Sequence, residues 1–469
     1  MGDSGRPTHE HADKDGHFRR QGSSFRDSIS KDPNSKFPAE KGRYALYVNL
    51  GCPWAHRTIL VRALKNLEDI VQIIYTDFDL TENGWLFTGL NGSSDRDPLY
   101  GFVGLKQLYL KADPNYEGRY TVPTLWDKKT ETIVNNESSE IIRMFYTEFD
   151  DLIDPQYRES TKGTAGLYPP HLRSEIDAMN DWVYNTVNNG VYKCGFATTQ
   201  EAYDANVFPL FASLDRLEQH LAKPSACHGG PFLFGANITE ADIRLYTTIA
   251  RFDAAYHTIF LCNLKSIRSD YPRLYRWFRR IYWNASSIPK GKIFKDTTRP
   301  EIYRYGYTRA RQRQIMGPEA QKKNFVVPCG PSVLFESWTE DDEDIDNGRI
   351  VAWKQAGDKT PTSAMSDLSI RPPTNGTATP TGVPPDATIT PSGKTDLTSS
   401  LRSPVSGSSS GPSYGSFVTT GDGAEAEGDI DPKRKLQRRT TYKDENEKWY
   451  KAARKAEKKS GAPNVHLAL

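Results

Sequence analysis

Cysteine is scarce in this chain, with five in 469 residues, scattered at positions 52, 194, 227, 262 and 329. No C-x-x-C pair and no paired metal-ligand spacing occurs among them, so neither a structural metal site nor a disulfide framework organises the fold, and no metal is expected. A reducing compartment is the simplest expectation: the cytoplasm, or the nucleus by way of a basic stretch near the C-terminus. Long apolar runs are also missing. Nothing approaches the roughly 20 apolar residues of a membrane span, and MGDSGRPTHEHADKDG at the start has no apolar core of a secretory signal. Charge of one sign is not in excess either, because 61 Lys and Arg stand against 59 Asp and Glu. Neither a membrane nor a nucleic-acid partner is therefore expected.

What is present is a periodic apolar pattern confined to residues from about 40 to 325. YALYVNL at 44–50 is β-branched and aromatic enough to be a buried strand. Ile59, Leu60, Ala63, Leu64 and Leu67 then recur at helical spacing, and VQIIYTDF at 71–78 is a second strand, so the opening reads as a β-α-β unit. The polar, glycine-rich stretch 80–118 is too long for an ordinary connection and is expected to be a functional or partly ordered insertion. TVPTLWD at 121–127 and ETIV at 131–134 form a hairpin pattern. NNESSEIIRMFYTEF starts another helix, with Asn135 or Asn136 available as its cap. This half is a small mixed sheet covered by helices.

Beyond residue 165 the pattern becomes helical throughout. Tyr203, Val207, Leu210, Leu214, Leu217 and Leu221 mark one amphipathic face, and further helices are expected over about 171–188, 239–256 and 271–283. Thr239 and Asp242 have the spacing of a capping box, with Ile238 as its staple. After about 335 the periodicity ends. An acidic run, TEDDEDID, precedes a Thr-, Ser-, Pro- and Gly-rich stretch over 358–428 and the basic PKRKLQRR, a composition that reads as disordered. The expected organisation is α/β plus all-α, in four parts. These are a partly disordered N-terminal extension (1–39), a mixed-sheet domain (40–160), an all-helical domain (161–330) and a disordered tail with a basic C-terminal segment (331–469).

One junction carries chemistry. In GCPWAHRTIL, Cys52 sits between the first strand and the first helix. A helix N-terminus presents unpaired N–H groups and a partial positive charge, which stabilise an anion such as a thiolate. Free cysteine has a pKa of about 8.5, and a helix N-terminus is among the places that lower it. Pro53 suits the first helical position because its missing N–H costs nothing there. Ala55 stands where a second cysteine would close a local disulfide, so a disulfide on Cys52 would be resolved by an outside thiol. The competing reading is a small apolar core residue.

Two further motifs favour the reactive reading. In RYTVPTLWD, a cis Val122–Pro123 bond would turn the N–H and C=O of Val122 toward an extended peptide. In NNESSE, Glu137 can meet an ammonium while Ser138 and nearby backbone N–H groups meet a carboxylate, which together suit an amino-acid zwitterion.

With these motifs in hand, the chain resembles the cytosolic glutathione transferases, with their thioredoxin-like N-terminal domain and all-helical C-terminal domain. It resembles most closely the xi class, the glutathionyl-hydroquinone reductases. The stretches that carry the likeness are FRDSISKDPNSKFPAEKGRYALYVNLGCPWAHRT, NGWLF, RYTVPTLWD, NNESSEIIRMF, VNNGVYKCGFA, FGANITEADIRLYTTIARFD and DYPRLYRWFRRIYW, covering roughly residues 18 to 330. The resemblance implies that Cys52 is the nucleophile and that Trp85 and Arg119 hold glutathione, the co-substrate. Val122 would pair with its cysteinyl backbone, and Glu137 with Ser138 would take its γ-glutamyl end. Tyr192 and Tyr307 would face the aromatic substrate, and the likeness implies a homodimer. The family's adjacent tyrosine pair is altered in EIYRYGYTRAR, where Gly306 precedes Tyr307, so a changed acceptor preference is expected.

The implied reaction is thiolate attack on a glutathionyl-hydroquinone, with a Cys52–glutathione disulfide as intermediate. Two other readings use the same residues. One is an omega-like thiol transferase or dehydroascorbate reductase; the other is a non-catalytic scaffold that displays its tail.

Overall fold

The computed structural model describes residues 11–81, 83–283, 290–316, 326–331, 335–339 and 342. Its sheet has four strands in the order β2-β1-β3-β4. β1 (Tyr44–Val48) is buried along its whole length, as an uninterrupted apolar run requires. β2 (Gln72–Tyr75) lies parallel to it on one side. On the other side β3 (Thr124–Asp127) pairs antiparallel with β1 and continues into β4 (Thr132–Asn135). The parallel pair needs a crossover, which α1 (Pro53–Leu64) supplies. α1 is buried on nearly every side because α3 (Ser138–Thr147) packs beside it and the helical domain closes over it.

Sequence and structure part at three places in this half. The cap of α3 is Glu137, not Asn135 or Asn136: the Glu137 carboxylate accepts from Ser139 N at 3.1 Å. Asn135 instead accepts Glu137 N, and Asn136 accepts Phe25 N, so both amides serve the chain ahead of the helix. The insertion 80–118 contains a helix the spacing did not announce, α2 (Leu105–Ala112), which buries Leu105, Leu108 and Tyr109. Finally, the N-terminal extension from residue 11 is bonded to the domain. Asp27 N donates to Val134 O and Asn136 N to Phe25 O, which cover the open edge of β4, while Ile29 and Phe37 enter the core.

The second half is helical. Short α4 (Glu159–Lys162) leads to α5 (Arg173–Val183), and a π-turn over Tyr184–Asn188 leads to α6 (Gly190–Gly195). α7 (Gln200–Ala222) presents the expected apolar face and tolerates Pro209 within it. α8 (Glu240–Arg251) is buried at every position, making it the centre of the domain. Its expected capping box is present and does more than cap. Buried Asp242 accepts from Thr239 N, Leu233 N and Trp277 Nε1, so one carboxylate ties three segments together. A second π-turn, Phe252–Tyr256, and short α9 (His257–Ile259) and α10 (Ile267–Asp270) precede α11 (Pro272–Trp283), α12 (Lys292–Thr297) and α13 (Pro300–Met316). The sequence pattern had not marked α13.

Part of the segment read as tail is docked. Phe335 packs on Phe278 and Tyr282, Trp283 Nε1 donates to Glu336 O at 2.7 Å, and Arg279 pairs with Asp342. The low-complexity stretch and the basic C-terminal segment lie outside the described residues.

Candidate active site

Cys52 is the N-cap of α1, with extended backbone (φ −80°, ψ 122°) and Pro53 at the first helical position. Its side chain is half-buried, whereas Cys194, Cys227 and Cys262 are buried and Cys329 is exposed. Cys52 Sγ donates to the carbonyl of Val122 at 3.4 Å. The Val122–Pro123 bond is cis.

A cavity of about 900 Å³ opens on this sulfur. It brings together Cys52, Trp85, Arg119, Val122, Tyr192 and Tyr307 out of the residues singled out from sequence. Glu137 and Ser138 do not line it. Glu137 is engaged as a cap and also accepts from Ser23 Oγ at 3.0 Å, and Ser138 is buried. The chain ahead of residue 25 therefore lies over the γ-glutamyl position expected from sequence.

The sheet-side wall comes from loops and turns and includes Trp85, Arg119, Tyr120 and Val122. The carbonyl of Trp85 accepts from Leu105 N, which ties its loop to α2. Arg119 reaches His11 Nδ1 at 3.4 Å, and its own carbonyl accepts from Tyr116 OH. The helical wall is made of hydroxyls. Tyr307 OH lies 2.7 Å from Tyr192 OH and 2.9 Å from Tyr256 OH, and donates more distantly to Gly51 O at 3.5 Å. Beside Tyr307, Ile302, Gly306 and Ala310 face the same cavity from α13, opposite Phe78.

The electrostatics of Cys52 differ from the sequence expectation. Burial is the largest influence and pushes the thiol above the ordinary cysteine value. The backbone N–H of Ala55, then Arg20, Arg251 and the N–H of Trp54, pull it down without overcoming burial. The helix N-terminus acts as expected, but the sulfur sits in a turn walled by two domains, where desolvation weighs more than at an exposed helix end. Burial likewise raises Tyr192, helped by negative charge on Cys52, and holds Tyr256 and Tyr307 well above the usual tyrosine value.

Several site residues were missed by motif reading. Arg20 comes from the N-terminal extension and stacks on Trp54 at 4.2 Å. Phe18 packs against Tyr192, and His11 stacks on Phe196 at 4.1 Å. Tyr256 and Arg251 follow from the end of α8, and no local pattern marks them. Among the described residues no cluster of three or more His, Cys, Asp or Glu could hold a metal ion, and no helix is long and apolar enough to cross a membrane.

The chain that carries this cysteine, the cis-proline turn and the helical domain over them is similar to known proteins. The glutathione S-transferase N-terminal domain family matches residues 51–148, and the C-terminal domain family matches 200–280. Glutathione S-transferase omega-like 2 of Schizosaccharomyces pombe is 51% identical over 282 residues, spanning 60% of this chain and 87% of that protein. Glutathionyl-hydroquinone reductase YqjG of Escherichia coli is 50% identical over 274 residues, 57% of this chain and 79% of its own length. The crystal structure of the xi glutathione transferase ECM4 from Saccharomyces cerevisiae, in complex with glutathione, is 38% identical with a TM-score of 0.59, covering 67% of this chain and 97% of that one. This chain belongs to the xi-class glutathione transferases. The thioredoxin-like and helical domains of this transferase are thus those expected from its motifs.

Proposed function

We propose that this xi-class transferase removes glutathione from glutathionyl-hydroquinones through a mixed disulfide on Cys52. The observation that carries the reading is the placement of one partly accessible thiol between a peptide-binding turn and a wall of tyrosine hydroxyls. Glutathione is the co-substrate. Trp85 and Arg119 flank its place, and Val122 offers a backbone edge to its cysteinyl residue. Among the described residues the Val122 N–H has no acceptor, so it is available to a bound peptide. Glu137 and Ser138 take the γ-glutamyl end once the ammonium replaces Ser23 at the carboxylate.

The chemistry balances in two steps. The Cys52 thiolate attacks the sulfur of the thioether and forms an S–S bond. The carbon–sulfur bond breaks, and its electron pair stays with the ring carbon, which takes a proton. Tyr192 supplies the nearby hydroxyl for that proton, replenished through Tyr307 and Tyr256. A second glutathione thiolate then attacks the sulfur of the bound glutathione, giving oxidised glutathione and the free Cys52 thiolate. The ring is reduced, and two glutathione sulfurs are oxidised to one disulfide.

The name of the fission-yeast relative and the ringless wall at Gly306 favour an omega-like thiol transferase as the second reading. Hydroquinone release from a glutathionyl-hydroquinone, measured beside reduction of a glutathione mixed disulfide, separates the two. Release that depends on Cys52 supports the proposal. Mixed-disulfide reduction without release supports the second reading, and neither activity supports a scaffold.

A further inference from the structure

Arg251 is fully buried, yet every partner of its guanidinium is neutral. Nε donates to Gly51 O at 3.1 Å and Nη2 to Leu50 O at 3.3 Å. Nη1 donates to Thr247 O at 2.7 Å and meets His56 Nδ1 at 3.2 Å, and the whole group stacks on the Tyr303 ring at 3.9 Å. His56 must therefore accept at Nδ1 and carry its proton on Nε2, which reaches Thr297 Oγ1 at 2.8 Å. Burial and then Arg251 hold His56 well below the usual histidine value, so it stays neutral. Among the described residues no carboxylate pairs with Arg251. A buried charge ordinarily has an ionic partner, because desolvation is otherwise uncompensated.

The two carbonyls it holds, Leu50 and Gly51, are those immediately before Cys52. The charged and titratable groups around Cys52 and Arg251 are Arg20 from the N-terminal extension, His56 on α1, Tyr192 on α6, Tyr256 after α8, and Tyr303 and Tyr307 on α13, with Arg299 ahead of α13 acting on His56. Of these and Cys52, the thiol is the most readily ionised anion-former, since free cysteine titrates near 8.5 and tyrosine near 10. Arg20 is exposed and screened by salt, whereas Arg251 is not.

We propose that Arg251 is the buried counter-cation of the Cys52 thiolate, and that through the Leu50 and Gly51 carbonyls it positions the turn that carries the sulfur. The inference rests on Cys52 being the nucleophile. It gives an otherwise unanswered charge a partner that appears only when the thiol ionises and vanishes when the mixed disulfide forms. Arg251 thus favours the thiolate at both ends of the cycle, as attacking group and as leaving group.

The test is the pH dependence of iodoacetamide alkylation, resolved to the Cys52 peptide by mass spectrometry, in the full-length chain. Arg251→Met should raise the midpoint by about one pH unit, which is about tenfold slower alkylation at a fixed pH below it. Arg251→Lys should restore most of the shift, and Arg20→Ala should give a smaller shift that disappears at high salt. An unchanged midpoint in folded Arg251→Met overturns the inference while leaving Cys52 as nucleophile. A wild-type Cys52 that resists alkylation at every pH overturns both. Should Arg251→Met not fold, the unmutated protein gives the answer. The 15N resonance of Arg251 Nε should shift with the Cys52 midpoint and stay constant in Cys52→Ser, and a resonance indifferent to that titration overturns the inference.

Discussion

The two walls of the cavity are built from different material. On the sheet side the residues around the sulfur come from strand ends, a cis-proline turn and an inserted loop, and Cys52 itself bonds to a backbone carbonyl. On the helical side three tyrosine hydroxyls, from α6, the turn after α8 and α13, meet within 2.9 Å of one another along the chain Tyr192–Tyr307–Tyr256. A backbone edge such as that of Val122 pairs with an extended peptide whatever the peptide's side chains are. A side-chain wall changes with every substitution. On the proposed function, the sheet side would hold glutathione and the α13 side, Gly306 included, would set the acceptor.

The largest expected effect breaks the sheet side alone. Cys52→Ser should lower hydroquinone release by more than about a thousandfold, as loss of a nucleophile does, with glutathione binding by calorimetry retained. The hydroxyl chain comes next. Tyr307→Phe should lower kcat by roughly tenfold to a hundredfold, within the range general acids supply, without raising the half-saturating glutathione concentration. A rise in that concentration with kcat unchanged would mean the two walls are not separate in function.

Stability sharpens the same contrast. Phe18→Ala, which removes a buried ring packed on Tyr192, should cost about 3 kcal/mol in denaturant unfolding and weaken the helical wall more than glutathione binding. The pH dependence follows from the raised Cys52 value. For an acid whose folded-state pKa exceeds its unfolded one, the stabilisation is complete below the unfolded value, about 8.5 for cysteine, and is lost as pH rises through the folded value. Wild type should therefore lose stability relative to Cys52→Ser only on the alkaline side, which thermal melts across pH will show. The smallest effect belongs to Gly306→Ala. The new Cβ would lie 3.3 Å from Phe78 Cδ2, so a shifted ring offsets the helix propensity gained, about 1 kcal/mol. Melting should hardly move, while kcat/KM for bulky acceptors falls a few-fold.

Much of the sheet side was legible in the sequence because its signals are local. Cys52 next to Pro53, Val122 before Pro123 and the strand–helix alternation are read within a few residues, and the structure places them at one cavity. The capping box at Thr239 and Asp242 was legible for the same reason. That Glu137 also caps α3 and accepts from Ser23 was not legible, because the second contact comes from a segment more than a hundred residues earlier. Arg251, Tyr256 and Arg20 carried no local mark, since what makes them notable is burial and partners reached across the fold. The direction of the Cys52 shift was misjudged on that account. The helix end is visible in sequence, and the desolvation that outweighs it is not.

The central claim is tested most directly by a single turnover without free glutathione. The protein is mixed with a glutathionyl-hydroquinone, and products and intact chain are analysed together by mass spectrometry. The account predicts one hydroquinone released per chain and one glutathione joined to Cys52, removed by added glutathione. Hydroquinone released with Cys52 unmodified, or an adduct on Cys329 instead, would contradict it.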